Sequence, residues 1–378
     1  MPDFSKVPSP CFVLDEALLI QNLNILKNVQ KEAGVQIICA LKGFAFHEVF
    51  PLVAKYLKGA TSSSLHEARL VNEKMNIAPH TYCVAYVPAD FEEILELSSH
   101  LTFNSLGEWN RWKSVVKRSG KKVSCGLRIN PGYSEVETAL YDPASSTSRL
   151  GIPREQLGDH LPEGIEGIHF HALCENDSYT LERLLVVFEE KYSSLIRQAK
   201  WVNMGGGHLI TREGYDTAHL VTLLRGFRKR FPNLEAVILE PGSAVGWRTG
   251  YLLCTVLDIV NNGGLKTALL DVSFTCHMPD CLEMPYKPKI LGEVEKGDYR
   301  YAMGGMSCLA GDFVDGFVFG KPLVVGQRLV FDDMIHYTMV KTSTFNGINL
   351  PSIGILQKEG SFRLLHTYGY EEYRSRLS

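Results

Sequence analysis

The chain has 378 residues, room for a barrel of about 230 residues and one further domain. Its 39 basic and 42 acidic residues nearly balance, which leaves no electrostatic footprint for nucleic acid. No apolar run reaches the roughly 18 residues that a membrane-spanning helix needs.

The opening MPDFSKVPSP lacks the apolar core of a secretory signal. Nine cysteines are scattered with no C-x-x-C pair, and Cys39, Cys83, Cys125 and Cys254 sit in apolar strand contexts. Such thiols behave as small hydrophobes, and the usage suits a reducing cytoplasm.

In chain order, CFVL at 11–14 is an isolated apolar run before the first helix, expected to add a strand to a later domain. Eight short strand segments follow at 35–42, 59–64, 82–87, 101–105, 123–130, 164–173, 201–207 and 236–242. The connections between them read as helices. LHEARLVNEKMN at 65–76 places Leu65, Ala68, Leu70 and Val71 near one face, the stretch 178–198 opens on the plausible N-cap Ser178, and 217–231 repeats the pattern. The connection 131–163 is different: it is rich in Pro, Gly and Ser, with a short helix expected near 153–158. An irregular excursion of that length suits a substrate loop. Eight strands alternating with helices close into a (β/α)8 TIM-like barrel, expected over 15–248. Beyond it, 251–260, 266–275 and 326–341 are rich in β-branched and aromatic residues, which predicts an all-β domain from 1–14 and 249–378.

Polar residues fall at the carboxyl ends of the predicted strands, where a barrel carries its active site. Lys42 closes the first in ALKGFAF, and a lysine there can form an imine with a carbonyl cofactor or simply snorkel at the edge. Arg128 and Asn130 close the fifth. His169 and His171, spaced i, i+2 on the sixth, suit either a pair of metal ligands or one imidazole lying flat on a cofactor ring. Gly205, Gly206 and Gly207 close the seventh, where backbone N–H groups can surround a phosphate. Glu240, in ILEPGSAVG with Gly242, closes the eighth, and a carboxylate there can keep a pyridine nitrogen protonated. From the second domain come Cys308 in GGMSCLAGDF, Tyr337 in IHYTMVK, and the polar set Asp271, His277, Asp280 and Glu283. Cys308 reads equally as a proton donor or as a small buried residue.

Together these motifs resemble the fold-type III pyridoxal-phosphate decarboxylases, related to ornithine and diaminopimelate decarboxylases and, in the barrel, to alanine racemase. More narrowly, ALKGFAF, HFHALCE, WVNMGGGH, EPGSAVGW, HMPDCLEMPY and MSCLAGD look like the carboxynorspermidine decarboxylase branch. The resemblance implies pyridoxal 5'-phosphate as cofactor, with Lys42 as its covalent partner and His171 stacked on its ring. It implies phosphate binding by Gly205–Gly207, Gly242 and Tyr337, Glu240 at the ring nitrogen, and Arg128 nearby. Cys308 would supply the catalytic proton, reaching a neighbouring subunit's barrel in a homodimer with shared sites. Arg149, in SRLG, matches a basic residue of the loop after the fifth strand.

Two departures stand out: Ser243 follows E-P-G where ornithine-type members carry Arg, and Leu309 follows Cys308 where an acid is usual. Ser243 is thereby freed to face substrate, and Asp312 is the acid nearest to Cys308. A carboxylated triamine needs carboxylates for its distal ammonium groups, which Asp280, with Asp271, Glu283 or Asp312, could supply, and His277 is a further candidate for binding substrate. The implied function is decarboxylation of carboxynorspermidine and carboxyspermidine in polyamine biosynthesis. The competing readings are an ornithine, lysine or diaminopimelate decarboxylase, a non-catalytic cofactor-carrying barrel, and a metal-dependent hydrolase using His169 and His171.

Overall fold

A computed structural model describes residues 3–378 and divides the chain into two compact units. One comprises the residues up to Gln21 with Gly246–Ser378; the other is Asn22–Val245. The division falls inside the helix Glu16–Ala33, whose first turn is capped by Asp15 accepting from the N–H groups of Ala17 and Leu18. The strand β1 (Cys11–Asp15) precedes that helix and belongs to the first unit.

The second unit is the expected barrel. Its strands are β2 (Gln36–Ala40), β3 (Gly59–Ser62), β4 (His80–Tyr82), β5 (His100–Phe103) and β6 (Ser124–Asn130), then the two-residue β7 (Ile152–Pro153). β8 (Gly167–His169), β9 (Trp201–Asn203) and β10 (Ala236–Leu239) complete the set. β2 through β6 and β8 through β10 pair in parallel, and β10 returns to β2 to close the ring, while β7 adds only to the edge of β6. Ile38, Trp201 and Ile238 form one buried core cluster of this ring.

The third strand departs from expectation. The apolar run YCVAYV at 82–87 is a loop, and the strand precedes it at His80–Tyr82. The loop keeps apolar residues because Cys83 and Tyr86 are buried, and the Tyr86 hydroxyl donates to the carbonyls of Thr81 and Thr102 at 3.0 Å each. Helices open on capping side chains: Ser64 before Leu65–Met75 and Ser105 before Leu106–Ser119. For Ser178–Ile196 the cap is Asp177 rather than Ser178, its carboxylate accepting from Tyr179 N–H and Thr180 N–H. Besides β7, the 131–163 excursion holds only single 3-10 turns, at Ala139–Tyr141 and Arg154–Gln156.

The first unit is a mixed sheet with β11 (Gly250–Asn262), β12 (Leu265–Leu270), β13 (Tyr299–Gly304), β14 (Phe313–Phe319), β15 (Arg328–Asp332), β16 (Ser352–Leu356) and β17 (Phe362–His366). β1 lies between β11, antiparallel, and β16, parallel, so the opening apolar run joins this sheet as its residues predict. The unit is not purely β. The runs 266–275 and 326–341 each end in a short helix, Phe274–His277 and Tyr337–Val340, and helices Asp280–Glu283 and Tyr370–Leu377 are added.

Candidate active site

At the mouth of the barrel Lys42, His171 and Glu240 stand one or two positions beyond the strand ends, in the turns, while Arg128 lies within β6 and Asn203 closes β9. β2 stops at Ala40, whose carbonyl accepts from Gly43 N–H (3.0 Å) and Phe44 N–H (3.1 Å), and Lys42 stands at the corner of that turn. A Cβ on Gly43 would lie 2.9 Å from Gly242 Cα, so only glycine lets the turn after β2 press against the turn after β10. Lys42 is reached by solvent yet ringed by protein. Burial first, then the Arg128 guanidinium, holds its pKa below the ordinary lysine value, while Glu240 opposes the shift.

Glu240 follows β10 directly. Its Oε1 accepts from Asn203 Nδ2 at 2.6 Å, and Asn203 Oδ1 accepts from Gly205 N–H at 2.9 Å, so one β9 side chain ties the acid to the glycine turn. Burial raises the Glu240 pKa, against the pull of Asn203, Arg128, Lys42 and Thr61. Arg128, 4% exposed, leaves Nε and Nη2 without a protein partner and lays its guanidinium 4.7 Å from the centre of the Tyr82 ring.

The glycine triplet makes a cradle of backbone. Gly205 (φ 68°) and Gly207 (φ 89°) occupy left-handed conformations, and a Cβ at Gly206 would meet the Glu240 carbonyl oxygen at 2.4 Å. Gly206 N–H donates to His171 Nδ1 at 3.1 Å, which orients that imidazole. His171 lies two residues past the end of β8. Burial, with Lys42 and Arg128 nearby, keeps both His169 and His171 well below the usual histidine pKa. Among the described residues no group of three or more His, Cys, Asp or Glu is arranged to hold a metal ion. Ser243, half-buried, begins the short helix Ser243–Gly246. Arg149 is exposed, and its carbonyl accepts from Asn104 Nδ2 at 2.9 Å.

In the first unit, Cys308 is the exposed cysteine of a loop, where its N–H donates to Asn346 Oδ1 at 2.9 Å. Tyr337 opens a short helix and is half-buried. Asp280 Oδ2 accepts from Tyr286 (2.8 Å) and Thr338 (3.0 Å), while its buried Oδ1 has no hydrogen-bond partner. Asp312 and His277 are engaged within the segments that carry them. The Asp312 carboxylate, 4% exposed, is taken up by the Ser273 hydroxyl and the N–H groups of Thr275 and Ser307. His277 is fully buried, its Nδ1 accepts from Ser273 N–H, and burial depresses its pKa to about 4. Asp271 likewise supports the sheet, accepting from Ser9 and Thr255 N–H, and Glu283 pairs with Lys341. Asn203 and Tyr82 are residues of this cluster that sequence reasoning passed over, and His169 was considered there only as one of a histidine pair. A polar side chain buried in a strand, as at Asn203, was the available signal.

The comparisons agree with this geometry. The chain is 49% identical over 378 residues to a carboxyaminopropylagmatine decarboxylase from Synechocystis sp., covering 100% of this chain and 97% of the relative. It is 39% identical over 386 residues to the carboxynorspermidine/carboxyspermidine decarboxylase of Campylobacter jejuni, covering 99% of each. A crystal structure of carboxynorspermidine decarboxylase complexed with norspermidine, from Campylobacter jejuni, superposes with a TM-score of 0.89 over 98% of this chain and 100% of that one, at 39% identity. A diaminopimelate decarboxylase from Helicobacter pylori, at 18% identity and a TM-score of 0.83 over 99% and 98%, shares the fold. The profile of the family described as "Pyridoxal-dependent decarboxylase, C-terminal sheet domain" matches residues 11–335, and the chain belongs to that family of pyridoxal-dependent decarboxylases.

Proposed function

We propose that this decarboxylase acts on a carboxylated polyamine, carboxynorspermidine and carboxyspermidine, with pyridoxal 5'-phosphate as its cofactor. The observation that carries the reading is the meeting of Lys42, Arg128 and Glu240 at one barrel mouth beside a glycine cradle. The residues fit the cofactor. Lys42 offers an amine that burial biases toward its neutral, nucleophilic form. Gly205 and Gly207, in left-handed conformations, shape the turn after β9 that would face a phosphate, and Arg128 brings two guanidinium nitrogens without a hydrogen-bond partner. When bound, the cofactor supplies a sink for the electrons left by departing CO2. Lys42 would hold it covalently, His171 would lie against its ring, and Glu240 would stand at the ring nitrogen and keep it protonated. Arg128 bolsters the charge of Glu240.

Cys308 returns the proton to the substrate carbon, and Tyr337 adds to phosphate binding. Both act in a homodimer with shared sites, so mixing inactive Lys42→Ala and Cys308→Ala subunits should restore up to about a quarter of wild-type activity by random pairing. Activity that stays at the parental level after confirmed subunit exchange would sink the shared site. Ser243 and Asp280 face the substrate, and the free Oδ1 of Asp280 suits a distal ammonium. A cytoplasmic setting suits nine free cysteines, and no described helix is long and apolar enough to cross a membrane.

A second reading replaces the substrate with carboxyaminopropylagmatine, favoured by the 49% identity to the Synechocystis relative. Its planar terminal guanidinium would pair side-on with a carboxylate, where an ammonium pairs as a point charge. The test is CO2 release measured across carboxynorspermidine, carboxyspermidine, carboxyaminopropylagmatine, ornithine, lysine and diaminopimelate. Preference for either of the first two supports the main reading; preference for the third supports the second. Preference for one of the last three overturns both.

A further inference from the structure

His169 closes β8 with its side chain 3% exposed, and neither ring nitrogen has a hydrogen-bond partner. A buried polar group left in this way typically costs a fold one to a few kcal/mol, so its place asks for a reason. The reason lies opposite: His169 Nε2 is 3.6 Å from Glu240 Oε2. The other carboxylate oxygen, Oε1, already accepts from Asn203. The Tyr82 ring stands edge-on to the imidazole, centres 5.5 Å apart, and bears the Arg128 guanidinium as well. The remaining groups felt at the imidazole are Lys42, from the turn after β2, and His80, from β4. With cations on several sides and no water-facing edge, the imidazole is neutral, so its contact with Glu240 is no ion pair. It can only be the approach of a neutral ring to a carboxylate.

We infer that His169 is a positioning residue for Glu240: its neutral imidazole turns Nε2–H toward Oε2 across 3.6 Å, and that dipole adds to the Asn203 hydrogen bond in holding the carboxylate charged and in one orientation. Desolvation alone would favour the protonated acid. A neutral acid cannot keep a ring nitrogen protonated by charge, and the Asn203 donor on one oxygen with the Nε2–H dipole facing the other counters that drift. The inference rests on the assignment of Glu240 to the ring nitrogen made above.

Two measurements test it. In holoprotein carrying 15N-labelled histidine, the His169 resonances, identified by their loss in His169→Gln, should report the tautomer with hydrogen on Nε2. The tautomer with hydrogen on Nδ1, or an exchanging mixture, overturns the inference, and this measurement needs no variant to fold well. In cofactor-free protein, the Glu240 carboxyl, followed by infrared difference against Glu240→Gln, should titrate about one to two pH units higher in His169→Phe than in wild type. His169→Gln, whose amide can donate, should recover most of that shift. An unchanged midpoint in His169→Phe, or a Gln variant that behaves as Phe does, overturns it. Neither measurement uses substrate, so a wrong substrate assignment leaves both readable, and their failure leaves that assignment standing.

Discussion

At the floor of the barrel, where the strands begin, the Trp201 indole donates to Ser124 Oγ at 2.8 Å, Ser124 donates to Glu166 at 2.7 Å, and Lys200 pairs with the same carboxylate. His80 and His100 stack there with ring centres 3.7 Å apart. At the mouth, by contrast, Arg128 and His169 keep buried nitrogens without partners, and Lys42 is held below its ordinary pKa. The same eight strands thus carry a closed polar chain at one end and an open one at the other. Packing differs in the same sense. A Cβ at Gly167 would meet the Trp201 ring at 1.9 Å and one at Gly126 at 2.3 Å, so the floor is filled by an indole lying across two glycines. At the mouth the glycines pack against backbone instead of an indole, a Cβ at Gly206 meeting the Glu240 carbonyl oxygen at 2.4 Å. Stability is concentrated at the floor and reactivity at the mouth.

That division is exposed to four experiments. Lys42→Ala should abolish decarboxylation and any borohydride-reducible link to cofactor. Because burial lowers the Lys42 pKa, the folded state resists a proton the unfolded chain accepts. This penalty is complete below the lowered value and fades as pH rises toward 10.5, the model lysine value. Cofactor-free Lys42→Ala should therefore melt no lower than wild type at neutral pH, and a clear drop in calorimetry would make Lys42 structural. Trp201→Ala should do the reverse, costing about 3–5 kcal/mol in denaturant unfolding while turnover per folded molecule stays near wild type. Loss of turnover in the folded fraction would tie the floor to catalysis.

Glu240→Gln should retain cofactor, seen in its absorbance, and lose roughly two to three decades of kcat. Near-normal turnover would remove Glu240 from the electron sink. The smallest effect is expected in the excursion, where Arg183 donates to both oxygens of Glu135 and depresses its pKa to about 2. The pairing stabilises above pH 4.5, the model glutamate value, and is lost as pH falls toward 2. Amide exchange over 133–142 should accelerate through that window, and Arg183→Ala should exchange fast already at neutral pH. Floor amides should be indifferent to the substitution.

The mouth was legible because its residues are unusual for their places: Lys42, the glycine triplet and Glu240 each interrupt an apolar run. The third strand was not, since His80 looks like a loop residue until its stacking partner His100 is known, while YCVAYV imitates a strand by composition. Asp177 and Ser178 are both capping types, and only geometry chooses between them. For Asp312 and His277 a sequence shows charge but neither the three donors that converge on Asp312 nor the burial of His277. His169 was visible only as half of a histidine pair, because the carboxylate it faces is 71 residues away, from 169 to 240.

The place of β1 between β11 and β16 bears on how the protein is made. Cys11 pairs with Ser352, 341 residues later, by the difference 352 minus 11. At about 5–20 residues per second of synthesis, β1 waits roughly 17–70 seconds on the ribosome for that partner. The barrel's 224 residues, 22 through 245, emerge inside that interval, so the barrel can close while β1 still offers unpaired backbone. A nascent chain halted before β16 would carry a finished barrel with an adhesive strand at its leading end, the species that a chaperone acting during translation should bind first.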